Sequence, residues 1–304
     1  MKEYTRIREL GPKVMRTAGA LGKFLPNLGG PSAACRRLYS GVCRSIATYG
    51  APVWADRPMS RGVKALLRSA QRAPAVRVVR GYRTVSWAAA TALAGDPPWD
   101  LVASVLAEVF SYVSGRRALG ENPSSEEIRA VRRQGESRLM REWGEDLAGQ
   151  PYGKRTTAAL RPVLERWMRR KRKPLTFRLT QVFTGHGCFG DYLCRVARRE
   201  PGGGCHECGA AVDSAQHTLE VCPRWAAQRQ DLVAALGGVG LSLSSVAEKM
   251  LETDRSWMVV SSFCETVMST KEASEREREV AADAPSLRRR RTGARRGRYQ
   301  RLLQ

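Results

Sequence analysis

Gly202-Gly203-Gly204-Cys205-His206-Glu207-Cys208-Gly209-Ala210-Ala211-Val212-Asp213-Ser214-Ala215-Gln216-His217-Thr218-Leu219-Glu220-Val221-Cys222 is the stretch from which the organisation of this chain is read. Three thiols and one imidazole follow the order Cys-x2-Cys-x8-His-x4-Cys behind three consecutive glycines. Zinc in structural sites takes four tetrahedral ligands, and three Cys with one His is a common set. Cys205 and Cys208 can reach one metal from a single tight turn, and His217 and Cys222 close the site from the next segment. Buried, unliganded thiols rarely fall in this order and spacing. The four residues therefore predict a structural Zn2+ site. His206, next to Cys205, is the rival to His217 as the fourth ligand. So small a loop has little apolar core of its own. Metal binding, about 10–16 kcal/mol in zinc-finger peptides, is expected to supply its folding energy.

Charge bounds the partners. The 304 residues carry 52 basic and 29 acidic side chains, a formal net charge of +23. Residues 1–84 hold 17 basic groups against 3 acidic, residues 154–173 nine against one, and residues 285–304 eight Arg against none. The segments between are slightly acidic. Basic blocks separated by near-neutral stretches suggest several contact surfaces for a polyanion, most readily nucleic acid. Two runs are expected to touch phosphate: Arg169, Arg170, Lys171, Arg172 and Lys173, and then Arg288, Arg289, Arg290, Arg291, Arg295, Arg296 and Arg298. Met1-Lys2-Glu3-Tyr4-Thr5-Arg6 leads into charge rather than a secretory apolar region. No run of about 18 apolar residues is present to span a membrane. Eight Cys are then read as reduced thiols of the cytosol or nucleus, where a Cys/His cluster points to metal rather than disulfide.

Upstream and downstream of the cluster the pattern is helical. Cys35, Leu38, Val42, Ile46 and Tyr49 recur at helical spacing, with Arg36, Arg37 and Arg44 on other faces. Val63, Leu66, Leu67 and Ala70 continue likewise as far as Pro74. Asp96-Pro97-Pro98 opens a helix carrying Leu101, Val105, Val109 and Val113. Ser124-Ser125-Glu126-Glu127 fits a capping box, ahead of Ile128, Val131, Leu139 and Trp143. Leu160, Leu164 and Trp167 follow, and beyond the cluster Trp225, Leu232, Leu236, Val246, Met250, Trp257, Val260 and Phe263. From about residue 270 apolar periodicity is lost, and disorder is expected.

Several separate motifs carry a resemblance. Leu179-Thr180-Gln181-Val182-Phe183-Thr184-Gly185-His186-Gly187-Cys188-Phe189-Gly190-Asp191-Tyr192-Leu193, followed by the Cys/His cluster, resembles the C-terminal end of reverse transcriptases of insect non-LTR (LINE-type) retrotransposons. The lineage that inserts into ribosomal RNA genes is the nearest likeness. Leu25-Pro26-Asn27-Leu28-Gly29-Gly30-Pro31, Tyr49-Gly50-Ala51-Pro52-Val53-Trp54 and Val78-Val79-Arg80-Gly81-Tyr82-Arg83-Thr84-Val85-Ser86 are similar to the segment after the polymerase palm in that family. The resemblance covers most of residues 12–265 and implies an RNA-directed DNA polymerase and endonuclease polyprotein acting in target-primed reverse transcription, in the nucleus after synthesis in the cytoplasm. Element RNA and target DNA, a ribosomal RNA gene foremost, are the implied partners.

The same resemblance marks what this stretch of the polyprotein leaves out. A two-metal polymerase holds its cations on paired aspartates, and no Asp-Asp pair occurs in the sequence. The chain therefore looks like a C-terminal fragment with no polymerase chemistry of its own, the rest of the polyprotein lying before Met1. The expected fold is mainly α: a thumb-like helical region over residues 1–120, connecting helices with a basic segment over 121–200, a CCHC zinc knuckle at 201–224, C-terminal helices at 225–269 and a disordered Arg-rich tail at 270–304. The alternative is a freestanding or domesticated, non-catalytic zinc-knuckle protein that binds RNA or DNA. His186, Cys188 and Cys194 could instead serve a thiol nucleophile or a second metal, but they lack the fourth ligand and the triad that such sites need.

Overall fold

The computed structural model describes residues 2–55, 58–170, 174–284 and 286–288. Among them the chain is helical, with no β-strand. Side-chain oxygens start many of the helices. Ser32 caps α2 (Ala33–Ala47), following α1 (Lys2–Gly22). After the single turn α3 (Ala51–Trp54), Ser60 caps α4 (Arg61–Val78) and Ser86 caps α5 (Trp87–Ala94). Each cap accepts a backbone N–H that a helix start leaves without a partner. Pro98 opens α6 (Trp99–Ala118), whose Leu101, Val105 and Val109 are buried. Ser124 and Glu127 form the reciprocal capping box of α7 (Ser125–Ala148), with Ser124 N–H donating to Glu127 Oε2 at 2.7 Å.

Short helices α8 (Lys154–Leu160), α9 (Leu164–Arg169), α10 (Phe177–Thr184) and α11 (Gly190–Arg195) then fold back on the bundle. They are followed by α12 (Ala226–Ala235), α13 (Leu243–Glu252) and α14 (Asp254–Val280). One large apolar core joins α5 to α14 around Trp143, Trp167, Phe183, Trp225 and Val267. Smaller clusters under α1, α2, α4 and α6 extend it towards the N-terminus. No described helix is long and apolar enough to cross a membrane.

Three expectations are corrected. On α2 the buried face is Arg36, Tyr39, Ser40, Cys43 and Ala47, whereas Leu38 and Val42 are exposed. Arg36 is drawn inward because its guanidinium closes the 26–31 loop, donating to the carbonyls of Pro26 (2.5 Å), Pro31 (3.3 Å) and Arg77 (2.7 Å). Pro74 does not end α4. Proline forgoes one ladder bond, and here burial of Ala70, Gln71, Ala75 and Val76 on either side holds the helix through it.

The third concerns residues 270–284, where α14 continues to Val280 instead of giving way to disorder. Three of its polar residues, Lys271, Glu272 and Glu275, are buried and paired. Lys271 meets Asp213 at 2.8 Å, and Glu272 meets Arg178 at 2.8 Å while accepting from Gln181 Nε2 at 2.7 Å. Buried charges survive only when paired and hydrogen-bonded, and beyond the apolar stripe that ends at Met268 this helix docks through such pairs. The remaining tail, from 289 onward, lies outside the described residues.

Candidate metal centre

The Cys205–Ala210 turn is built by backbone hydrogen bonds. Gly209 N–H donates to the Cys205 carbonyl and Cys205 N–H to the Ala210 carbonyl, both at 2.8 Å. Gly209 sits at φ +77°, in the left-handed region where a Cβ is costly. The turn brings the Cys205 and Cys208 thiols to one side. The second pair of ligands comes from a single π-type turn, His217–Val221, in which Cys222 N–H donates to the His217 carbonyl at 2.7 Å. In an α-helix, residues five apart diverge by about 140°. Widening the turn brings His217 and Cys222 back to one face, and such π turns recur at functional sites. Arg229 of α12 braces the turn by donating to the Leu219 (3.3 Å) and Cys222 (2.5 Å) carbonyls.

The ligand atoms of Cys205, Cys208, His217 and Cys222 all lie within 4.8 Å of one another. Cys205 and Cys222 Sγ are 4.0 Å apart, and Cys208 Sγ lies 3.3 Å from His217 Nε2. Such a group can hold a metal ion. Without one, burial pushes the Cys205 thiol up to about 12 and raises Cys222 as well. Exposed Cys208 is lowered, chiefly by the Ala210 backbone N–H, and burial lowers His217, favouring the neutral imidazole that a metal needs. His206 points elsewhere. Its Nε2 faces Glu200 at 3.2 Å and Arg288 at 3.0 Å, so His217 completes the cluster.

The loop is not the free-standing knuckle that its size suggests. Cys205, Ala215, Leu219, Cys222 and Trp225 belong to the same apolar core as Trp143 and Phe183. Gly190 lets the 203–204 backbone approach so closely that a Cβ there would lie 2.4 Å from the Gly204 carbonyl oxygen. Asp213 binds the loop to three elements. Its carboxylate accepts from Gly190 N–H (3.0 Å), the Thr218 hydroxyl (3.3 Å) and Lys271 (2.8 Å), with both members of the ion pair 3% exposed. Asp213, four residues before His217, is visible in the motif. Its buried partner Lys271 stands far downstream on α14 and carries no signal in the sequence.

The predicted phosphate contacts divide. Arg169 is 73% exposed and paired with Glu165 at 2.7 Å. Arg170 is turned inward, over the Trp167 ring at 4.4 Å and donating to the Leu93 and Trp167 carbonyls at 2.5 Å each, and burial lowers its pKa to about 9. Arg288 is 4% exposed, bonded to Glu275 at 3.2 Å and to Glu200 and His206. Neither is free for phosphate, because each guanidinium satisfies acceptors of the protein itself. Lys171, Arg172, Lys173, Arg289, Arg290, Arg291, Arg295, Arg296 and Arg298 lie outside the described residues. His186, Cys188 and Cys194 form no metal-ligating group among the described residues. Burial raises the Cys188 thiol to about 12 and lowers His186 to about 4, against a thiolate–imidazole pair.

Comparison with known proteins gives one informative likeness. The chain is 28% identical over 281 residues, 90% of its length, to the "Putative 115 kDa protein in type-1 retrotransposable element R1DM" of Drosophila melanogaster. That similarity supports a retrotransposon-derived protein. The chain spans about a quarter of that relative's length, 27%. No family model matches the chain, and no solved structure matches it.

Proposed function

We propose that this chain is the nucleic-acid-binding C-terminal part of a retrotransposon RNA-directed DNA polymerase and endonuclease polyprotein of the lineage that inserts into ribosomal RNA genes. It grips element RNA or target DNA during target-primed reverse transcription, in the nucleus. The observation that carries this reading is the convergence of Cys205, Cys208, His217 and Cys222 within 4.8 Å, on a loop docked to a strongly basic helical body similar to a retrotransposon protein. The donor set fits Zn2+ in a structural role: four nitrogen and sulfur ligands, leaving no position for a reacting water. Bound there, zinc would tie the Cys205–Ala210 turn to the His217–Val221 turn. Exposed Cys208 and Val221, 62% exposed, put the outer rim of the loop at the surface, where a strand can reach it.

Basic side chains then supply sequence-independent affinity by releasing condensed counterions, and contacts at the knuckle set orientation. The test is metal analysis of the purified chain combined with binding to single- and double-stranded oligonucleotides across a salt series. One zinc per chain and a steep salt dependence are expected. A metal-free chain, or binding indifferent to salt, would overturn the reading.

A further inference from the structure

The outward face of α2 is apolar along one row and basic along another. Leu38 is 70% exposed and Val42 38%; exposed Cys35 precedes them and half-buried Ile46 follows. At about 100° per residue these four fall within about 80° of the helix circumference and span about 16 Å. Tyr49 (70% exposed) and Val53 (84%) follow directly in the chain, in the connection to α3 and on α3 itself. Large apolar side chains scattered singly over a surface need no explanation, whereas a row of them marks a contact. The second row is Arg37 and Arg44, two helical turns apart. Arg37 is exposed and has no ion pair among the described residues, while Arg44 gives Nη1 to Asp96 at 3.4 Å and stays 44% exposed. Ala34, Gly41 and Ser45 lie between the rows. A Cβ on Gly41 would meet nothing within 4 Å, so the ground between the rows is open.

Charge and side-chain type select the occupant. Between Glu9 and Asp56 the sequence holds six basic side chains and no acidic one. An antiparallel second copy of α2 would set Arg37 and Arg44 against their like, and a parallel one would leave both without a counter-charge. The chain's own Arg-rich tail carries the same sign. A nucleic-acid strand would be drawn to the arginines but would leave the apolar row unused. Leu38, Val42 and Val53 have no ring to stack on a base and no polar atom to read its edge. An acidic amphipathic helix satisfies both rows. Its apolar ridge packs lengthwise along Cys35, Leu38, Val42 and Ile46, and its carboxylates meet Arg37 and Arg44.

We infer that the outward face of α2 is a docking surface for an acidic amphipathic helix of a partner protein. The surface is separate from the metal loop, and its failure would leave the nucleic-acid-binding reading standing. The test titrates the zinc-loaded full chain into a labelled helical peptide of about 20 residues, long enough to hold a helix. The peptide carries leucines at alternating third and fourth positions and glutamates on both flanks of that stripe. A second peptide has lysines in place of the glutamates. The glutamate peptide should bind at least about 10-fold more tightly than the lysine one, with a preference that shrinks as salt rises. Leu38→Gln and Arg37→Glu should each weaken it about 10-fold, the loss of one interface anchor. Helical signal and zinc content should stay unchanged, because both side chains face solvent. Bound peptide should also shield exposed Cys35 from alkylation, as read by mass spectrometry. A chain that binds neither peptide overturns the surface, and so does binding that neither variant weakens and that leaves Cys35 reactive. Dimerisation of the wild-type chain that Leu38→Gln abolishes would replace the partner helix by a second copy. Loss of oligonucleotide affinity in Leu38→Gln would replace it by a nucleic-acid strand.

Discussion

Replacing Lys271 by Met tests whether the metal loop is held by the helical body or by its metal alone. The Lys271 ammonium lies 2.8 Å from Asp213 Oδ2, each side chain 3% exposed, and 5.8 Å from the centre of the Phe189 ring. Removing one member of a buried pair strands the other charge, which typically costs about 3–5 kcal/mol. Asp213 keeps two hydrogen bonds, from Gly190 N–H and Thr218, so the lower end, about 3 kcal/mol, is expected. Asp213 N–H also donates to Gly203 (2.7 Å) and its carbonyl accepts from Asp191 N–H (3.0 Å), so strain at the carboxylate reaches the glycine run before Cys205 and the segment before His217. Zinc affinity should therefore fall about 10-fold, the lower bound for loss of an outer support of a metal site. Chelator competition measures the affinity, and denaturant unfolding measures the stability. Asp213→Asn with Lys271→Met should recover much of the loss, since both charges then go. Unchanged zinc affinity and stability in the Lys271→Met chain would refute the brace.

Further outcomes follow from the same geometry. Cys208→Ser should abolish tight metal binding yet leave the far-ultraviolet helical signal largely intact, because Cys205, Leu219, Cys222 and Trp225 are anchored in the common core; collapse of the helical signal would show that the body depends on the metal. Zinc affinity should rise with pH. Burial holds Cys205 and Cys222 protonated in the metal-free chain, so binding must expel at least those two protons, giving a slope of about two or more per pH unit near neutrality; a flat profile would contradict ligation by these thiols. His186 is held neutral, its pKa lowered from 6.5 to about 4, so its contribution to stability is complete above pH 6.5 and is lost as pH falls towards 4. His186→Gln should remove that portion of the acid sensitivity, as followed by thermal unfolding at about pH 7 and about pH 4.5. Removing residues 289–304, with seven Arg, should lower the salt slope on duplex DNA by about 3 if half of them touch phosphate; an unchanged slope would free the tail from that role.

Local chemistry is legible in the sequence where it is self-contained. The ligand order around Cys205 needs only its own eighteen residues, and the capping box at Ser124 needs only four. Apolar periodicity likewise finds the buried positions Leu101, Leu139, Trp143, Trp225 and Met250. What escapes is charge that points inward. Lys271 and Glu272 look like a solvated face until Asp213 and Arg178, more than fifty residues away, are brought to them. Leu38 and Val42 look like a core stripe, but Arg36 on the neighbouring face has three carbonyls to satisfy and takes the buried position.

The same fact limits what a net charge of +23 says about binding. Of the predicted phosphate-binding residues that the structure describes, only Arg169 is exposed, whereas Arg170 and Arg288 are bound to carbonyls and carboxylates of the protein. Arg36 and Arg178 are taken up in the same way. A guanidinium already bonded to a buried acceptor gives nothing to a phosphate without first breaking that bond, so it releases no counterion and adds nothing to the salt slope. Arg288 has a different consequence. It ties the start of the Arg run to Glu275 of α14 and to Glu200 and His206 beside the metal loop. The Arg run therefore begins beside the Cys/His cluster. Under the proposed function, positioning by the loop and affinity from the tail then act on one stretch of strand.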